Sequence, residues 1–195
     1  MTFNLIDITS QFFSRGVYNI KGMIDNGLFD KFLTQPINVL FRIFSDLIDI
    51  LDLTTLIPVL ITLGLVIARL ESSITFVHFV AYLALCLNGL LIALSIHIFI
   101  VSFSVLTQQV PNSIWIYRDL ITMGRFPVNI YAQSIQFFLT FILPIAVMVS
   151  FPAKALIGIL AFQNIIIAFA VSLTFLLLSL LTWKKALQNY SSVSA

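Results

Sequence analysis

An all-α fold, a polytopic membrane helix bundle, is what this sequence predicts, and three observations predict it. Hydrophobic residues make up 60% of the 195, charged ones only 9%, and the mean hydropathy is +1.08; such a composition leaves too little polar surface for a soluble globule. The apolar residues gather into four runs near the length of about 20 residues that crosses about 30 Å of hydrocarbon. Almost all the Lys and Arg fall between or beside those runs. A formal net charge of +2 is too small to imply nucleic acid as a partner. The lone cysteine, Cys86, builds no intrachain disulfide framework and reads as a small lipid- or helix-facing residue. The first twenty residues carry neither a basic-then-apolar leader pattern nor a small-residue cleavage site.

Residues 1–52 are expected to form a cytoplasmic amphipathic region, too apolar for a disordered tail and too interrupted for a span. Within it, NGLFDKFLTQP predicts a turn at Asn26 and Gly27, then a short helix that ends before Pro36. That turn suits either a docking point for a soluble partner or a simple interfacial elbow. From Asn38 onward, Leu40, Phe44, Leu47, Ile48 and Leu51 make an apolar stripe, with Arg42, Asp46, Asp49 and Asp52 largely elsewhere. This predicts an amphipathic helix feeding the first span.

Residues 53–195 are expected to form the bundle, with spans at 53–70, 74–106, 134–150 and 156–181. The second is long enough to rise roughly 50 Å, so it must tilt or project from the bilayer. In the third, Pro144 removes a backbone donor and crowds the Thr140 carbonyl, which predicts a kink. In the fourth, Gln163 and Asn164 suggest that the opening turns form a separate re-entrant or surface helix.

With the N-terminus inside, Arg15, Lys21, Lys31, Arg42, Arg118, Arg125, Lys184 and Lys185 are cytoplasmic, against Arg69 and Lys154 outside. Eight against two follows the bias of positive charge toward the cytoplasm, and it puts both termini there. The loop at 107–133 is then cytoplasmic. Its residues Ile114, Ile116, Tyr117, Leu120, Ile121 and Met123 recur loosely at helical spacing, which suits a short helix lying in the interface until Pro127 breaks it. Trp115, Arg125, Pro127, Tyr131 and Trp183 read as membrane-interface anchors, with Arg125 snorkelling to the headgroups and Tyr190 flanking the last span.

Polar residues inside the spans are few. Asn88 and His97 read as interhelical hydrogen-bonding groups; with Ser102, Thr140, Gln163 and Asn164 they are also the candidate lining of a pathway for a hydrophobic or amphipathic cargo. Catalysis has little to stand on. His78 and His97 lie 19 residues or about 28 Å apart on one predicted helix, too far to share a metal. The single glutamate, Glu71, falls at the outer boundary, and no H-E-x-x-H, G-x-S-x-G or G-x-x-x-x-G-K-[ST] occurs.

Two stretches resemble the permease subunits of type-2 ABC transporters, in particular a bacterial branch of small six-span permeases. One is NGLFDKFLTQP, with Gly27, Asp30, Leu33 and Pro36 matching a turn, Gly, Leu/Phe, Asp and Leu-x-x-Pro pattern. The other is NSIWIYRDLITMGRFPVNIYAQSIQFFLTFILPIAVMVSFPAKALIG, with its Trp, Arg-Phe-Pro step, Ile-Tyr, Thr-Phe-Ile-x-Pro and closing Pro-Ala. The ending WKKALQNYSS is similar too. Members of the branch usually have two further spans before the Gly-Leu-Asp turn, so the four spans here correspond to the last four of six. The resemblance implies a permease of the bacterial plasma membrane, without catalytic residues, metal or cofactor of its own. Two such subunits pair as a homo- or heterodimer in membrane lipid. A separate cytosolic ABC ATPase, holding ATP and Mg, drives export. It further implies that Gly27, Leu28, Phe29, Asp30, Leu33 and Pro36 form the surface that couples to the ATPase, with Phe29 or Phe32 entering an apolar groove and Asp30 and Lys31 fixing register. A non-transporting scaffold or an inactive permease fragment is the alternative reading.

Overall fold

The structure, a computed structural model, describes residues 1–47, 49–69, 74–107 and 113–191. Ile48, Leu70, Glu71 and Asn112, the start of the second resembling stretch, lie outside the described residues. Among those described, all regular structure is helical. Three helices are long and apolar enough to cross a membrane: α5 (Ile50–Arg69), α6 (Phe76–Thr107) and α10 (Phe162–Gln188), and a bent pair between α6 and α10 makes a fourth if counted as one span. The chain is a multi-pass membrane protein.

α6 is the axis of the bundle. Asn88, Gly89, Ile92, Ala93, His97 and Val101 are buried along it, because α10, α1 and the bent pair surround it. α6 and α10 run parallel, since Asn88 meets Ala168 and Ser172 while Phe99 meets Phe175 further along both helices. At 32 residues α6 rises about 48 Å, well beyond the hydrocarbon thickness.

The first helix, α1 (Thr2–Ser14), belongs to the 1–52 stretch expected to be a cytoplasmic amphipathic region, yet it is not a separate layer from the spans. Its Phe3, Ile6, Asp7, Ser10 and Ser14 recur at helical spacing and are buried against α5 and α6. The direction follows from its neighbours. Met1 Sδ approaches Thr62 midway along α5 while Arg15 reaches Asp49 and Asp52 at its start, so α1 and α5 are antiparallel. α1 therefore lies inside the bundle alongside the spans. Only the segments that follow it, α2 (Ile20–Asp25), α3 (Leu28–Leu33) and α4 (Val39–Ser45), gather at one end.

The expected cytoplasmic loop at 107–133 also behaves differently. α7 (Ser113–Ile121) buries Ile114, Tyr117 and Ile121 and climbs along α1: Arg118 pairs with Asp7, and the 3-10 turn at Thr122–Arg125 brings Gly124 and Arg125 against Phe3. The cause is the ion pair. A cation on α7 meets a carboxylate on α1, which draws the segment into the bundle and away from the interface.

At Pro144 the bend is 84°, between 133–142 and 146–156. α8 (Gln133–Phe137) widens into a π-helical turn at Phe138–Ile142, in which the Leu143 N–H donates to the Phe138 carbonyl five residues back. Pro144, lacking an N–H, cannot continue the ladder. A second π-helical turn, Ala146–Ser150, leads into α9 (Phe151–Leu156). The predicted span 156–181 is accordingly displaced: Leu156 closes α9, and α10 opens only at Phe162 and continues to Gln188. Gln163 and Asn164 stand in the first turn of α10 itself, not in a separate helix.

Candidate coupling surface and the polar residues of the bundle

The α2–α3 turn is built around Gly27, whose φ of 70° is a left-handed conformation that a side chain would strain. It lets the chain reverse after Asn26 and start α3 at once. α3 then divides sharply into two faces. Phe29 is fully buried, its ring edge-on to Trp183 at 6.4 Å and to Tyr190 at 4.8 Å, near the end of α10. Phe32 is buried beneath the Arg42 guanidinium of α4 at 5.2 Å. Leu28 (44% exposed), Leu33 (40%), Lys31 and Pro36 face outward, and the patch continues through Ile37 to Phe41 (67%).

This geometry corrects two expectations. Phe29 and Phe32 do not present themselves to a partner, because the aromatic face of α3 is what fastens it to α10 and α4; the outward apolar groups are the leucines. Trp183, 7% exposed, is no headgroup anchor either, since its ring is covered by Phe29. Asp30 is partly buried beside Tyr190, whose phenol is pushed up to about 12, first by burial and then by that carboxylate.

The remaining candidates do not gather into one site. Asn88 is wholly buried and donates to the Ala168 carbonyl at 3.2 Å while accepting from the Ser172 hydroxyl at 2.5 Å, a clamp between α6 and α10. His97 differs from its expected interhelical role: its Nδ1 bonds the Ala93 carbonyl of its own helix at 2.7 Å, and across the interface it offers only a ring edge, 5.0 Å from that of Tyr117. Thr140 likewise donates to its own helix, at the Gln136 carbonyl. Ser102 does the same to Ile98. Gln163 is exposed and Asn164 half-buried.

Among the anchors, Trp115 is exposed with its ring edge against Tyr18, while Tyr131 donates to the Met123 carbonyl at 2.9 Å. Arg125 and Pro127 are exposed, yet Arg125 lies over the Phe3 ring at 5.4 Å and lines one cavity of about 230 Å³ together with Lys154. Two residues of so small a cavity cannot lie on opposite sides of a core about 30 Å thick. Gly158, just beyond α9, adjoins His78 in the first turn of α6, so both cations belong to the end where α6 begins. Moving Arg125 there turns eight against two into seven against three, in the same direction.

Sequence reasoning missed the ion pairs that organise the interior. Asp7 and Arg118 meet at 2.5 Å with side chains 10% and 23% exposed, and Arg15 bridges Asp49 at 2.6 Å and Asp52 at 3.2 Å. The signal was present as an Asp in an apolar stripe of period 3.6, which asks for a cation.

The family described as ABC-2 family transporter protein matches residues 1–194, essentially the whole chain. No curated protein matches, and no solved structure matches. The chain belongs to the ABC-2 family, as a membrane-spanning transporter component.

Proposed function

We propose that this chain is the permease of an ABC exporter in the bacterial plasma membrane, moving a hydrophobic or amphipathic substrate outward on ATP hydrolysed, with Mg, in a separate cytosolic subunit. Two permease subunits, identical or not, form the working pair. The ATPase docks on the outward face of α3, through Leu28 and Leu33, with Lys31 fixing register and the patch extending past Pro36. The observation that carries this reading is the two-faced build of α3. A short helix with exposed leucines is fastened from behind, through Phe29 and Trp183, to a membrane-spanning helix. Displacement of α3 by a partner is thereby delivered to α10, because packed aromatic rings transmit movement and do not absorb it. Apolar spans with few polar groups, Ser102 and Thr140 among them bonded within their own helix, suit an apolar cargo better than a charged one.

The test is native mass spectrometry of the tagged chain, extracted from its own host in mild detergent. Two permease subunits carrying two nucleotide-binding subunits are expected, and Leu28→Glu with Leu33→Glu should strip the ATPase while leaving the pair intact. Recovery of a lone 21.9 kDa chain that releases no ATPase would overturn the proposal and favour a scaffold or an inactive fragment.

A further inference from the structure

Of the cations in this chain, Arg15, Lys21, Arg42 and Arg118 each hold a carboxylate. Arg125 and Lys154 hold none among the described residues, although both border the same cavity between the start of α1, the turn after α7 and α9. They come from segments 29 residues apart in sequence, so the convergence is a product of the fold. Gly124 makes the approach possible: a Cβ there would stand 2.8 Å from Ile145 Cγ2, and its absence lets the chain close on the bent pair and deliver Arg125 onto Phe3. The Phe3 ring, 5.4 Å from the guanidinium carbon, holds that side chain in place without neutralising it. Ser150 adds a hydroxyl to the lining, and Phe126 and Val149 give it apolar walls.

Two like charges brought together beside membrane spans repel one another, and each is costly to keep near hydrocarbon without a counter-charge. Among the described residues the cavity lining supplies none, which leaves room for a counter-charge brought by a ligand. We propose that this cavity binds the phosphate group of an anionic amphiphile, with Arg125 and Lys154 as its two cationic contacts. Arg125 suits a bidentate grip on phosphate oxygens and Lys154 a point contact, while the apolar walls continue toward the acyl chains. With the Lys184–Lys185 end of the bundle cytoplasmic, the headgroup belongs to the outer leaflet, the side toward which the antiparallel α1 carries Met1. The inference does not depend on which substrate is exported or on where the ATPase docks.

The full chain, purified with whatever subunits accompany it, is titrated by native mass spectrometry with phosphatidylglycerol and, separately, with phosphatidylcholine of the same acyl chains. Preference for phosphatidylglycerol is expected, and affinity should fall about tenfold for each of Arg125→Gln and Lys154→Gln. Lys184→Gln with Lys185→Gln, which removes the same charge at the other end of the bundle, should leave it unchanged. Displacement of the lipid by inorganic phosphate would show that the site takes phosphate from either source; failure to displace it would assign the site to the lipid. Equal binding of the two lipids by the unmodified chain, or phosphatidylglycerol binding undiminished in the double Gln variant, would overturn the proposal. Should the double variant not purify as a folded species, the lipid preference of the unmodified chain and of Arg125→Lys decides.

Discussion

α5 and α6 are both long and strongly apolar, and both pass the length needed to span a membrane, yet they occupy opposite situations. α6 is buried over most of its length, whereas α5 buries one residue, Leu63, and leans chiefly on α1. The difference lies in their polar residues. On α6, Asn88 bonds across to α10, and Ser95, His97, Ser102 and Ser104 are buried although the first three of these bond their own helix; on α5, Thr54, Thr55 and Thr62 also bond their own helix, but none is buried. In a bilayer, apolarity selects what crosses but not what packs, because lipid tails solvate leucine as well as a neighbouring helix does. Polar side chains, small residues and close fit decide which spans associate.

The sharpest way to break that comparison is to disarm the partner on which α5 leans. Asp7→Ala strands Arg118 in the interior and should cost about 3–5 kcal/mol, seen as a large drop in the unfolding midpoint in detergent. Asp7→Leu with Arg118→Met should recover most of it, since removing both charges leaves nothing unpaired. Next in size, Ile92→Ala on α6 should cost about 2–4 kcal/mol, while Ile57→Ala, more than half exposed on α5, should change the midpoint hardly at all. Equal effects at the two positions would mean that α5 is packed against something in the working assembly. Asn88→Leu, which cuts the clamp to α10, is expected to cost about 1–2 kcal/mol by the same assay.

The smallest effect concerns pH. Hydrogen bonding from Arg15, followed by that from the Leu51 N–H, holds the Asp49 carboxyl below its ordinary value of 3.8. A carboxylate favoured by the fold stabilises it above that value and ceases to do so as pH falls through the lower, folded one. Stability curves should therefore decline in that acid range, less steeply in Asp49→Asn. The contact is partly open to solvent, so added salt should shrink the difference.

Much of the bundle was legible in the sequence. α6 and α10 announce themselves by unbroken apolar length, and the 84° bend follows from Pro144, whose missing donor acts within one turn. α1 and α7 were not legible as interior elements, because each is short and carries a charge. Each charge read singly argues for the interface, and only the pairing of Asp7 with Arg118 reverses that. The same holds at α3. Gly27, Pro36 and the leucines mark the turn, but nothing local reveals that Phe29 is spoken for by Trp183, 154 residues later. The Arg125–Lys154 cavity was hidden for a different reason: a count of charges by loop assumes that a loop stays on its own side.

Asp7 and Arg118 are 111 residues apart, and this separation has a consequence for synthesis. At about 5–20 residues per second the ribosome needs roughly 6–22 s to deliver Arg118 after Asp7 has emerged. During that interval α1 carries a carboxylate whose partner does not yet exist. An unpaired aspartate is poorly tolerated in lipid, so α1 waits in a hydrated or insertase-protected setting and docks only when α7 arrives. Assembly thus ends with a late closing step, and a ribosome stalled before residue 118 holds every span up to α6 with its first helix still undocked.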